Sequence, residues 1–226
     1  LPHPNTSIYA SFASFFKPIR TFYQDNVIYV GGDGNRFEPA RNEEVFKPEK
    51  GYQAEVGLKY QLNNILSANA SLFYIRKMNS TATNNYQEEV NGETTTMSVI
   101  GQVGVQDSKG FDFDVTLSPV STLALTIGYG LNDSKIREMK EIKDPELIEA
   151  IYGNNPDETK QQLNSQEGNW QSNVPNQTFY AYGSYTIPRG VLKNLEFHLS
   201  SSYTGKVYRN TSNNSWFDPY WVCLIC

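Results

Sequence analysis

Apolar and polar residues alternate along much of this chain. In residues 52–62, "YQAEVGLKYQL", every even position is apolar and every odd position is polar or Gly. A period of two over this length predicts a β-strand with two unlike faces. A short Asn-Asn turn follows, and a second apolar-rich run covers residues 66–75. The pattern therefore predicts a hairpin of long strands, each with one apolar and one polar face.

The alternation recurs before and after this hairpin. Further apolar-rich runs lie at residues 8–16, 97–117, 123–131, 177–187 and 195–208, and another strand begins near Tyr220. Asn, Ser, Thr and Gly are abundant, which suits strands and turns better than helices. The chain is therefore predicted to be all-β, an antiparallel meander with about eight strands.

The connections between these runs alternate in length. Three are short and contain turn residues, at residues 62–65, 118–122 and 188–194. Three are long and polar, at about residues 17–51, 79–96 and 135–175. This alternation places every long connection at the same end of an antiparallel meander, and long connections usually carry function.

Two short motifs lie within the long connections. The segment "DPELIEAIYG" predicts a helix with Asp144 as N-cap, Pro145 as its first residue and Gly153 as its stop. The segment "GGDGN" at residues 31–35 has the glycines of a phosphate or calcium loop. However, no helical pattern follows it and it has too few acidic ligands, so it is interpreted as a turn.

A soluble β-sandwich and a membrane barrel both contain strands with one apolar face, so periodicity alone leaves both open. Three further features favour a transmembrane barrel. A strand of about eleven residues tilted by about 45° rises about 25 Å, the height of an outer-membrane apolar band. Tyr52 and Tyr60 share the apolar face near opposite ends of one strand, where interfacial aromatic girdles lie. Short turns at one end and long loops at the other are typical of bacterial outer-membrane barrels.

On this interpretation the apolar faces contact lipid and the polar faces line a wet interior. The predicted interior residues are charged or titratable: Glu55, Lys59, Asp112, Asp114, Glu196 and His198. No run reaches the roughly eighteen apolar residues of a transmembrane helix, which excludes a helical span only. The net charge of −5 argues against a nucleic-acid partner.

The chain resembles the C-terminal barrel region of TonB-dependent outer-membrane receptors. That family shows a Pro-Glu pair, a Tyr-x-x-Glu-x-Gly-x-Lys-Tyr strand, a short turn, and a strand ending in Phe-Tyr with a basic-Asn cluster. The matching residues are Pro48, Glu49, Tyr52, Glu55, Gly57, Lys59, Tyr60, Phe73, Tyr74, Arg76 and Asn79. Later strands of the same barrels are similar to "DSKGFDFDV" (107–115), "NVPNQTFYAYGSYTIP" (173–188) and "SSYTGKVY" (201–208).

The resemblance implies a barrel of roughly 22 strands closed inside by an N-terminal plug domain. It implies a receptor in the outer membrane of a Gram-negative bacterium, in contact with membrane lipid. Such receptors bind a scarce extracellular ligand, most often a ferric siderophore, and import it with energy passed through TonB. Residues 1–226 are expected to be one partial barrel domain without the plug or the terminal strands, and not competent for transport alone. The resemblance implies neither an enzyme activity nor a cofactor.

The long-loop side carries aromatic and cationic residues that suit an anionic ligand such as a ferric siderophore. Arg offers a rigid fork of donors, and aromatic rings offer flat contact area. A plain surface or interfacial role is the alternative for each of these residues. The candidate ligand-binding residues are Tyr23, Tyr29, Arg36, Arg41 and Trp170.

Other reactive groups have simpler explanations. Asp112 and Asp114 share a strand face, whereas glycosidase carboxyls flank a scissile bond, which neighbours on one strand rarely do. Cys223 and Cys226 have CxxC spacing but no second ligand pair and no βαβ context, so neither zinc nor redox chemistry is expected. His198 is interpreted as a polar interior residue rather than a ligand. No metal site is predicted.

Two other functions stay open at the level of the sequence. One is an outer-membrane pore or adhesin-type barrel without energy coupling, and the other is a soluble all-β binding module. A plug domain encoded upstream would distinguish the receptor from an uncoupled pore or adhesin-type barrel. A soluble all-β module would stay monodisperse without detergent, whereas a membrane barrel would not.

Overall fold

The computed structural model describes residues 4–18, 26–30, 36–37, 46–139, 143, 145–152 and 166–225. Nearly all of these residues lie in strands or in the turns between them. In chain order the elements are β1 Thr6–Lys17, β2 Val27–Val30, β3 Arg36–Phe37, β4 Glu49–Leu62, β5 Leu66–Val90, β6 Glu93–Val120, β7 Leu123–Met139, α1 Pro145–Tyr152, β8 Gln177–Thr186, β9 Glu196–Thr204, β10 Val207–Tyr208, β11 Trp216–Phe217 and β12 Tyr220–Ile225.

Eight of the strands form one antiparallel meander in the order β1-β4-β5-β6-β7-β8-β9-β12. Each strand pairs antiparallel with the next along this path, across the short turns and also across the longer connections that join β1 to β4, β7 to β8 and β9 to β12. The predicted all-β meander of about eight strands is confirmed. Among the described residues, β1 and β12 each have one edge without a partner strand. The sheet is therefore an open segment of a barrel-like wall.

The strand register separates the side chains into two faces. One row across four strands joins Val56, Leu72, Phe111 and Leu131, and a neighbouring row joins Gly57, Ser71, Asp112 and Gly130. We call the first the apolar face and the second the polar face. All six residues predicted to line a wet interior lie on the polar face: Glu55, Lys59, Asp112, Asp114, Glu196 and His198.

Large side chains of the apolar face are exposed. Phe12 is 72% exposed and Leu72 is 57% exposed, and neither packs against a second sheet in the described part of the chain. A soluble sandwich would bury these side chains between two sheets. An apolar surface of this extent indicates an apolar environment outside the chain.

The hairpin of β5 and β6 corrects one prediction. Residues 79–96 are not a loop, because β5 continues to Val90 and β6 begins at Glu93. Asn91 and Gly92 form the turn with φ values of 55° and 80°, as a two-residue hairpin turn requires. The Thr- and Asn-rich strands are polar on both faces, so they lack the alternation that revealed the other strands. The Asn91-Gly92 pair was the one sequence feature that could have predicted this hairpin.

A small buried core lies at the end of the sheet that carries the long connections, the long-loop end. Strand β2 pairs in parallel with residues 98–101 of β6, and Val30 and Val99 are buried together. Ile148 of α1 packs against them, so the predicted helix is confirmed and covers this core. Its predicted cap Asp144 and stop Gly153 lie outside the described residues. No described helix is long and apolar enough to cross a membrane.

Candidate functional site

The polar face presents a wall of hydrogen-bonded polar side chains. The Tyr9 hydroxyl donates to Glu55, and Lys59 Nζ lies 5.1 Å from the centroid of the Tyr9 ring. On the next strands, Asn69 Nδ2 donates to Asp114 Oδ2 over 2.8 Å. In each strand these polar residues alternate with apolar ones. Since alternate side chains of a β-strand point to opposite faces, the polar residues all lie on one face of the sheet. Such a wall suits contact with water or with a polar protein surface.

Nearer the short turns, the same face carries Tyr182, His198 and Glu196. Tyr182 Oη lies 2.8 Å from His198 Nδ1, and Glu196 Oε2 lies 3.5 Å from His198 Nε2. The two oxygens therefore approach opposite sides of one imidazole ring and do not converge on a common point. No group of three His, Cys, Asp or Glu side chains that could hold a metal occurs among the residues described.

At the long-loop end, the side chain of Gln102 joins the first connection to the β5–β6 hairpin. Gln102 is 5% exposed, and its Nε2 donates to the carbonyl oxygens of Lys47 and Asn79. Its Oε1 accepts from the Lys47 N–H over 3.2 Å. Asn79 Nδ2 in turn donates to the Pro48 carbonyl over 3.0 Å. The side-chain amide of Gln102 therefore both donates to and accepts from the backbone of Lys47, as the backbone of a paired β-strand would.

Two of the five predicted ligand-binding residues, Tyr23 and Arg41, lie outside the described residues. Tyr29 is 3% exposed, and its ring centroid lies 6.3 Å from that of Phe46. Arg36 lies on β3, in register with Val30 of β2. The structure therefore brings Tyr29 and Arg36 onto paired strands beside the small buried core. Ligand binding by all five residues stays a prediction.

Trp170 lies apart from Tyr29 and Arg36. It pairs with Lys135 of β7, whose Nζ lies 5.1 Å from the centroid of the indole ring. Asn213 binds the Trp170 backbone twice, accepting from its N–H over 2.7 Å and donating to its carbonyl over 2.9 Å. Lys135 shares its register row with Tyr52. Trp170 is thus placed at the long-loop end of the apolar face.

A cationic and aromatic cluster on the polar face was missed at the level of the sequence. The register of β8 and β9 continues to the bridge between Pro175 and Val207, so Lys206 and Tyr208 stay on the polar face. Lys206 Nζ lies 4.6 Å from the ring centroid of Tyr208 and 3.9 Å from that of Trp216. Such contacts are attractive cation–π interactions. The i, i+2 spacing of Lys206 and Tyr208 indicates that they share one face of a strand. Their proximity to Trp216 was not predictable, because a polar turn separates Trp216 from them in the sequence.

The Lys206 cluster, meaning Lys206, Tyr208 and Trp216, can hold an anionic ligand with flat groups. The ammonium supplies charge, and the indole, with 46% of Trp216 exposed, supplies a flat apolar surface. It lies where β9 ends and the chain turns back towards β12, at the long-loop end of the polar face. The cluster therefore places one positive charge beside an exposed aromatic ring at that end.

Comparisons with known proteins identify relatives of this fold. A family model described as "TonB dependent receptor-like, beta-barrel" matches residues 1–222. The siderophore receptor PiuA from Acinetobacter baumannii is 22% identical with a TM-score of 0.63, and the match covers 98% of this chain and 27% of PiuA. The ferric yersiniabactin uptake receptor FyuA from Yersinia pestis is 14% identical with a TM-score of 0.62, covering 98% of this chain and 27% of FyuA.

The FrpB iron transporter from Neisseria meningitidis is a third similar structure. It is 13% identical with a TM-score of 0.60, and the match covers 100% of this chain and 30% of FrpB. Likeness at these identities shows the fold. The chain spans less than a third of the length of each of these three proteins.

Proposed function

The chain belongs to the TonB-dependent receptor β-barrel family, and on this premise we propose that it forms part of the wall of an outer-membrane receptor that imports a ferric siderophore. The family is located in the outer membrane of Gram-negative bacteria, and its members are transport receptors rather than enzymes. Residues 1–226 would be one partial barrel domain of that receptor. Energy for import would reach it through TonB.

The separation of apolar and polar faces is the observation that carries this proposal. In a barrel wall the exposed apolar face, with Phe12 and Leu72, contacts acyl chains. The polar face with Glu55 and Asp114 then lines the interior, where water or a plug domain satisfies its polar groups. The long-loop end faces the cell exterior, because the long loops of such barrels are extracellular.

The Lys206 cluster supports an anionic ligand at the outer mouth. Ferric siderophore complexes often carry negative charge and flat chelating groups, which an ammonium beside an indole ring can bind. PiuA is a siderophore receptor, and FyuA is a ferric yersiniabactin uptake receptor. By analogy, the ligand of this chain would be a ferric siderophore. The sequence-predicted residues Tyr23, Tyr29, Arg36, Arg41 and Trp170 remain further candidates for ligand binding.

Uptake of iron into cells tests the proposal. The intact receptor that carries this chain would be produced in a strain without other siderophore receptors. Cells would then receive a panel of ⁵⁵Fe-loaded catecholate, hydroxamate and mixed siderophores. We expect receptor-dependent uptake of at least one complex and loss of that uptake when TonB is deleted.

The other possible results identify the alternatives. Uptake that persists without TonB would indicate an uncoupled pore, and absence of both binding and uptake across the panel would contradict the ligand class. Lys206→Ala with Trp216→Ala should lower uptake about tenfold or more, since truncation of a hot-spot residue in a binding site costs about 2 kcal/mol or more. Lys193→Ala is the matched control, because Lys193 is an exposed lysine in a short turn at the opposite end.

A further inference from the structure

Two strand pairings change register side by side at the long-loop end. Between β5 and β6 the register shifts on both sides of the pair formed by Ser80 and Gly104. Between β6 and β7 it shifts where Val105 is followed by Gln106. An extra residue in one strand interrupts the ladder and bends the backbone away from its neighbour. The two irregularities therefore meet at residues 104–106 of β6.

A small cavity lies at this meeting point. Its volume is about 20 Å³. It is bounded by the irregular parts of β5, β6 and β7, by Gln166 in the connection before β8, and by Thr211 in the turn between β10 and β11. One water molecule needs about 10–15 Å³ of such space. The cavity therefore has room for one water molecule and not for a larger ligand.

Two buried polar side chains line the cavity. Ser80 is 2% exposed and Gln166 is 6% exposed. In the part of the chain that the structure describes, neither Ser80 Oγ nor Gln166 Oε1 has a hydrogen-bond partner. Buried polar atoms of native proteins are nearly always paired, either with protein or with ordered water. A small molecule between these two side chains would satisfy both of them.

The residues around the cavity join three parts of the chain. The Gly168 N–H donates to the Ile136 carbonyl over 2.8 Å, and the Ile136 N–H donates to the Asn169 carbonyl over 2.9 Å. Asn169 Nδ2 in turn donates to the Thr211 carbonyl over 2.9 Å. The cavity therefore lies where β7, the connection before β8 and the β10–β11 hairpin meet. That hairpin carries two members of the Lys206 cluster.

We infer that this cavity is a binding site for one water molecule, which bridges Ser80 Oγ and Gln166 Oε1 and ties the connection before β8 to β5. A water molecule donates two hydrogen bonds and accepts others, which matches a hydroxyl and an amide oxygen. The inference depends on neither the proposed ligand nor the proposed membrane location.

A divalent cation matches the lining less well. Ca²⁺ and Mg²⁺ take six or more oxygen ligands, roughly six to eight, whereas Ser80 and Gln166 supply two neutral oxygens. Glu138 is the one carboxylate residue among the described residues of the lining. Its side chain is 63% exposed and lies 3.8 Å from Arg76. The carboxylate is therefore paired outside the cavity.

A structure of the intact receptor at a resolution that shows ordered water tests the site directly. We expect one density peak within hydrogen-bond distance of both Ser80 Oγ and Gln166 Oε1. The double variant Ser80→Ala with Gln166→Met should lose the peak, because apolar cavities stay dry. Absence of the peak in the wild type would overturn the inference. A peak with the oxygen distances of a divalent cation, about 2.0–2.6 Å, would also overturn it.

Hydrogen exchange in the same variants tests whether the water joins the two side chains. In Ser80→Ala and in Gln166→Met, the amides of Ile136 and Gly168 should exchange about fivefold faster, the effect of one lost hydrogen bond. The double variant should be no faster than either single variant, because either change alone breaks the bridge. An effect equal to the product, roughly 25-fold, would show that the two side chains act independently and would overturn the inference.

Ser202→Ala and Gln53→Met are the matched controls, because both residues are exposed and neither lines the cavity. Both controls should keep the density peak and the exchange rates of the wild type. Equal acceleration in the controls would contradict the inference, since the exchange would then follow general stability rather than the bridge. These measurements use no siderophore, so their outcome is separate from that of the uptake experiment.

Discussion

Tyr9 of β1 lies directly opposite Gly57 of β4, and its ring covers the position that a β-carbon on Gly57 would occupy. Tyr180 of β8 covers Gly128 of β7 in the same way. Both pairs lie on the polar face. Laying an aromatic ring over a neighbouring glycine is a known means of stabilising β-sheets. In a barrel wall it also keeps bulky rings flat against the wall, so the interior stays wide.

Replacement of Gly57 by Val should destabilise the wall by displacing the Tyr9 ring. Overpacking of a closely packed site costs about 1–3 kcal/mol. Thermal unfolding of the intact receptor in detergent, followed by circular dichroism, measures the loss. In a Tyr9→Ala background the same Gly57→Val change should cost much less, because the clashing ring is gone. An equal cost in both backgrounds would show that the ring does not restrict this position.

Replacement of Gln102 by Leu should release the first connection from the β5–β6 hairpin. The change leaves the Lys47 N–H and the carbonyls of Lys47 and Asn79 without this partner. Buried polar groups left unpaired cost about 1–3 kcal/mol each. Hydrogen exchange measured by mass spectrometry should become faster at the Lys47 amide, which donates to Gln102 in the wild type. Gln53→Leu, at an exposed position, should leave that exchange unchanged, and equal acceleration in both variants would contradict the assigned role of Gln102.

Replacement of Gly92 by Val should loosen the tip of the long hairpin. Gly92 has φ of 80°, a conformation that costs an L-residue with a branched side chain about 1–2 kcal/mol. Exchange of the amides in residues 93–98 should become faster, while that of residues 110–117 stays slow. Thr96→Val changes an exposed side chain of the same tip and should leave it intact. Unchanged protection in Gly92→Val would mean that the turn tolerates another geometry.

The sequence predicted the two faces of the strands well, because burial on a sheet follows a period of exactly one residue in two. The positions of Leu58 and Lys59 on opposite faces required only this rule. Short turns such as Asn63-Asn64 were equally local, and Asn63 has the positive φ of 49° that such a turn uses. The helix at residues 145–152 was predicted from residues at its own two ends.

Features that join distant segments were not predictable in this way. The bonds of Gln102 to Lys47 span 55 positions, and no periodicity marks a polar side chain that pairs with the backbone of another segment. The pairing of Tyr208 with Trp216 depends on a turn that resembles an ordinary polar loop. The outer part of the β5–β6 hairpin has polar residues on both faces and therefore shows no alternation. Only its Asn91-Gly92 turn could have predicted the hairpin.

Labelling of two adjacent residues tests the central claim most directly. Leu58 is 43% exposed on the apolar face, and Lys59 lies beside it on the polar face. Single cysteines would replace each residue in the intact receptor in outer membranes, and Cys223 and Cys226 would both be changed to Ser in each variant, so that the new thiol is the only one this chain contributes. We predict that Leu58→Cys reacts with a bilayer-restricted probe and Lys59→Cys with a membrane-impermeant, water-soluble one. The reverse pattern would contradict the assignment of the two faces, and with it the proposed barrel wall.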